Sequence, residues 1–60
     1  MKPTPAQIAG WERRAVMHES DADRKEMLGH YGVAAHHRRE AANLRRAAAA
    51  ARQEMEQETV

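Results

Sequence analysis

Glu26-Met27-Leu28-Gly29-His30-Tyr31-Gly32-Val33-Ala34 is the stretch on which the reading of this 60-residue chain turns. Two glycines three residues apart make poor helix interior, and either can adopt the left-handed conformation that ends a helix. The flanking sequence on both sides favours helix, so the interruption predicts a reversal between two helices. The charges agree. Glu12, Glu19 and Glu26 recur every seven residues before the glycines, and Arg38, Arg45 and Arg52 recur every seven after them. Each glutamate lies as far from Gly32 as its arginine counterpart does. Two antiparallel helices folded about Gly32 therefore bring three acids level with three arginines.

The helix limits follow from local chemistry. Thr4 offers an N-cap, Pro5 stands where a missing N–H costs nothing, and Gln7 completes a capping box. The first helix is expected over about 5–29, the turn over about 29–33 and the second helix over about 34–58. Together they make one small helical domain spanning 1–60. Ser20 followed by Asp23 could start a new helix and introduce a kink near Ser20, whereas the glutamate heptads favour continuity. After the turn, dense Ala, Arg, Glu and Gln carry high helix propensity with no proline to interrupt them.

The apolar pattern gives the packing faces. Ile8, Trp11, Ala15, His18 and Ala22 follow steps of three and four along the first helix. In the second, Ala34, Ala41, Ala48 and Met55 take heptad position a, with His37, Leu44 and Ala51 at d. Small residues in this stripe imply close helix approach. Arg38, Arg45 and Arg52 then fall at e, where their stems can cover alanine while their guanidinium groups reach across the seam. Arg39 and Arg46 fall at f and face solvent.

Composition limits the alternatives. Sixty residues bury little surface, and small chains of this kind usually rely on disulfides, a metal or association. Cysteine is absent, phenylalanine is absent, and much of the 42% apolar content is alanine. The fold class expected is all-α: an antiparallel helical hairpin that dimerises into a four-helix bundle. Net charge is +1, which gives total charge no role in binding a polyanion. The opening residues lack the apolar run of a signal peptide, and no stretch approaches the ~20 apolar residues of a membrane span. A soluble cytoplasmic protein without a membrane partner is the expectation.

Chemistry-bearing constellations are few. His36 and His37 diverge on a helix, and His30 and His37 stand seven apart across a glycine turn with no acid completing a ligand spacing. No metal, cofactor or small-molecule substrate is therefore expected. Ser20 has no base and orienting acid around it, and Gly29–Gly32 lacks the glycine spacing and following lysine of a phosphate loop. No catalytic residue is assigned. His37 at d is the candidate pH-sensitive position, because protonation would bring charge into the seam.

The function expected is that of a small non-enzymatic protein–protein interaction module, an adaptor, regulator or inhibitor acting through a helical surface. Ile8, Trp11, Ala41, Leu44, Ala48, Ala51 and Met55 are its candidate interaction or dimer-packing residues. A homodimer and a further protein are the expected partners. The alternative is a nucleic-acid-binding regulator whose Arg38, Arg39, Arg45, Arg46 and Arg52 track phosphates along the second helix. The segment 26–41 also resembles helix-turn-helix DNA-binding domains. Met27 and Leu28 would pack the first helix, Gly32 and Val33 would form the turn, and Ala34 onward would be the recognition helix. The likeness covers about a quarter of the chain and departs from that family at Arg38, where an apolar anchor should stand.

Overall fold

The computed structural model describes residues 2–58 and consists of two α-helices packed along their length: α1 (Pro5–Met27) and α2 (Tyr31–Glu58). The result is a rod of 49 × 17 × 15 Å, the antiparallel hairpin expected from the sequence. Thr4 caps α1 as anticipated. The Gln7 amide donates to its hydroxyl at 3.2 Å, and its own amide donates to the Gln7 side-chain oxygen at 2.9 Å, with Pro5 opening the helix. That arrangement satisfies two amide groups that the first turn cannot bond internally. The helix then runs through Ser20 as a single element.

The turn is tighter, and earlier, than the sequence suggested. The Gly29 amide donates to the Glu26 carbonyl at 3.0 Å and the His30 amide to the Lys25 carbonyl at 2.8 Å, while Gly29 has φ +80°. These are the two bonds of a Schellman close, which needs only one left-handed residue. Once Gly29 supplies it, His30 can start the next helix: its carbonyl accepts from the Ala34 amide at 3.0 Å. The turn therefore lies at Leu28–His30 instead of 29–33, α1 ends at Met27 instead of near 29, and α2 begins at Tyr31 instead of 34. Gly32 sits inside the first turn of α2.

The arms consequently differ, with 23 residues in α1 and 28 in α2, and the centre of the charge pattern does not coincide with the bend. Side-chain direction accounts for the offset. Side chains lean toward the N-terminus of their own helix, which means away from the turn on α1 and toward it on α2. A glutamate on α1 thus meets an arginine whose backbone lies about six residues, or roughly 9 Å of helix rise, farther from the turn.

The core is a narrow stripe on each helix, seven buried residues in all among those described. Ile8, Ala15 and Ala22 on α1 and Ala34, Ala41, Ala48 and Ala51 on α2 are buried. Ile8, 1% exposed, is the single large side chain that is fully enclosed among the described residues. Trp11 and Met55 pack partly buried against Ile8, Ala48 and Ala51, so the bulk of the core lies at the open end of the hairpin. Between there and the turn the seam is alanine. Small side chains let backbones approach closely but contribute little apolar area each.

Candidate functional site

Three features of the hairpin surface could carry function: the charged edge, a histidine pair and an apolar rim around the turn. The charged edge forms as the heptads require. Arg52 grips Glu12 through two nitrogens at 3.2 and 2.6 Å, and Arg45 grips Glu19 at 2.9 and 2.5 Å. Arg38 pairs with Glu26 and also reaches Asp23 at 3.3 Å. The hydrogen bond from Arg52 holds the Glu12 carboxyl below its ordinary range, and that from Arg45 does the same for Glu19. Reciprocally, bonding to Glu26, Glu19 and Glu12 raises Arg38, Arg45 and Arg52. These pairs lie in solvent, where each stabilises little. Their seven-residue spacing is satisfied at all three pairs in this one register of the helices.

This pairing changes the standing of the five arginines considered for phosphate contact. Arg38, Arg45 and Arg52 are already engaged by carboxylates. Arg46 donates to Asn43, while Arg39 is exposed and makes no ion pair among the described residues. The charge that could meet a phosphate backbone is thus much smaller than the count of arginines implies.

The candidate packing residues also find their places within the chain. Ile8, Ala41, Ala48 and Ala51 are buried between α1 and α2, and Trp11, Leu44 and Met55 are half-buried. The hairpin itself covers these residues. Trp11 in addition lines a shallow groove with Lys2, Pro3, Thr4 and Gln7 at the open end.

His37 lies opposite His18. Their Nδ1 atoms are 2.9 Å apart, and the rings are tilted by 38° with centroids 5.1 Å apart. One ring must donate and the other accept. The alanine seam explains the arrangement: Ala15 and Ala22 flank His18 at one turn, Ala34 and Ala41 flank His37, and all four are buried. The imidazoles fill the width that these small neighbours leave open. His18 was visible in the sequence as a stripe residue, but its partnership with His37 was not. Its signal is the shared place of the two residues in their stripes, each three after one buried alanine and four before the next.

Around the turn, apolar side chains face solvent. Met27 is 88% exposed, Tyr31 69%, Leu28 66%, and Val33 is exposed as well. Met27 and Leu28 do not pack the first helix as the helix-turn-helix likeness implied, because the Schellman close leaves no third helix or loop over them. Val16 and Met17 are exposed separately along α1, beside Ala9 and Arg13. No described helix is long and apolar enough to cross a membrane. Comparison with protein-family models, curated proteins and solved structures gives no match for this chain.

Proposed function

We propose that this chain is a small non-enzymatic protein–protein interaction module, an adaptor, regulator or inhibitor that works in the cytoplasm through its helical surface. In this reading two hairpins pair into a four-helix bundle, and the bundle presents a surface to a further protein. One observation carries it: among the described residues a single large apolar side chain, Ile8, is fully enclosed, while Met27, Leu28, Tyr31 and Val33 stand exposed together around one turn. A hairpin with an alanine core has little apolar area of its own to spend on stability, and clustered exposed apolar groups mark association surfaces. Aromatic residues such as Tyr31 and Trp11 concentrate binding energy when an interface buries them. The engagement of Arg38, Arg45 and Arg52 by glutamates supports protein contact over phosphate contact.

Sedimentation equilibrium tests the association. Wild type is expected to dimerise, and Leu28→Glu or Tyr31→Glu is expected to shift it to monomer while keeping helicity. Affinity capture with wild type beside Leu28→Glu and Trp11→Ala then tests the partner, which the variants should lose. A chain that stays monomeric at all concentrations and retains no protein in capture overturns the reading. Low-salt binding to duplex DNA or RNA that weakens steeply with salt, and is lost in Arg39→Ala/Arg46→Ala, would replace it with the nucleic-acid alternative.

A further inference from the structure

We propose that His18 and His37 form a two-imidazole chelate for a late first-row divalent metal ion such as copper(II) or nickel(II). The expectation of no metal rested on His30, His36 and His37, whose spacing does not converge. The pair that does converge is contributed by both helices, and it goes beyond the interaction role proposed above.

Geometry carries the assignment. The two Nδ1 atoms stand 2.9 Å apart. Metal–imidazole bonds are ~2.0–2.1 Å long, so an ion held equally by both nitrogens subtends an angle of about 90°. That is the cis angle of square-planar or octahedral coordination, the geometries favoured by copper(II) and nickel(II). In the metal-free hairpin a proton lies between the two nitrogens. Turning the rings toward the solvent side of the seam, with that proton shifted to Nε2 of the donor ring, lets both Nδ1 lone pairs meet one ion instead.

The surroundings suit a cation. Asp21, which also meets Arg24 at 3.7 Å, follows His18 and Glu40 follows His37 at the i+3 position on its own helix, both half-buried. Arg14, four residues before His18, is exposed and opposes them. The residue four before His37 is the neutral Val33. Arg38, next to His37, is engaged by Glu26 and Asp23. No described group of three or more His, Cys, Asp or Glu side chains is arranged to hold an ion, so this chain supplies two ligands and water takes the remaining positions. Both rings are half-buried, which leaves a wet side for those waters. Because the ligands come from opposite helices, a bound ion would clamp α1 to α2 in the stretch where alanine packing is thinnest.

Titration calorimetry with nickel chloride and copper chloride, with magnesium chloride as control, tests the proposal on the intact chain. Wild type is expected to bind one nickel or copper ion per chain at least tenfold tighter than His18→Ala or His37→Ala, with no binding of magnesium. His30→Ala and His36→Ala should bind within threefold of wild type. The ion should raise the thermal midpoint of wild type and leave that of the two seam variants unchanged. If the alanine variants lose helicity, His18→Gln and His37→Gln replace them. Electron paramagnetic resonance of the wild-type copper adduct gives an independent readout, expected to show at least two nitrogen donors. Seam variants that bind as tightly as wild type, or affinity that is lost with His30 or His36 instead, would overturn the chelate.

Discussion

Glu19 and Arg45, separated by twenty-six positions in the chain, meet through two hydrogen bonds of 2.9 and 2.5 Å across the seam of the hairpin. The same relationship joins Glu12 to Arg52, and in both pairs the arginine keeps the carboxyl below its ordinary value of 4.5. The folded state therefore binds protons less readily than the unfolded chain does. Its contribution is complete above the unfolded value and fades as pH falls through the lower folded value. Thermal melts followed by circular dichroism should give a midpoint that drops as pH is lowered below about 4.5. The drop should be shallower in Glu12→Gln/Glu19→Gln. An equal acid response in that variant would show that the pairs do not couple to folding.

Charge reversal tests whether these pairs set register. Glu19→Arg places two arginines together and should lower the midpoint, as should Arg45→Glu. Combining the two restores an opposite pair with its direction exchanged, so the double variant should recover most of the loss. A double variant as unstable as the sum of the singles would mean that residues 19 and 45 act independently.

The two turn glycines should respond to alanine with opposite signs. Gly29 has φ +80°, and forcing a Cβ into the left-handed region costs about 1–2 kcal/mol. Gly32 lies within α2, and nothing occupies the space where its Cβ would go. Alanine there should stabilise by up to about 1 kcal/mol through helix propensity. Chemical denaturation of Gly29→Ala and Gly32→Ala measures both. Destabilisation centred on Gly32 would move the turn back to the position that the charge symmetry alone suggested.

The closeness of the seam makes Ala41 intolerant of size. Ala41 is buried, and Ala41→Leu should cost about 1–3 kcal/mol or force the helices apart. Ile8→Ala, at the other extreme, removes the one large side chain enclosed among the described residues and should cost about 2–5 kcal/mol. Denaturant midpoints rank the two. A neutral Ala41→Leu would indicate a gap between the helices that alanine does not fill.

What could be read from the residues, and what could not, divides along physical lines. The Thr4–Gln7 box, the heptad stripes and all three glutamate–arginine pairs were legible, because each depends on spacing within a regular helix. The position of the bend was not. Charge symmetry reports where side-chain tips meet, and tips lean along their helices, so Gly32 marked the centre of the contacts while Gly29 makes the turn. The His18–His37 pair was hidden as well, because neither glycine is its midpoint: His18 lies eleven residues before Gly29 and His37 eight after it. The exposure of Met27, Leu28 and Tyr31 was also illegible, since apolar residues beside a turn are expected to fold over it. The residues alone do not reveal that the Schellman close leaves nothing to cover them.

A nuclear Overhauser measurement between the His18 and His37 ring protons, made on a mixture of labelled and unlabelled chains, most directly tests the hairpin. The rings, with centroids 5.1 Å apart, should give cross-peaks within a single labelled molecule, and the amides of Leu28–His30 should show a break in helical contacts. Cross-peaks found solely between different molecules, or uninterrupted helical contacts from Met27 to Glu40, would contradict a chain that reverses on itself at Gly29.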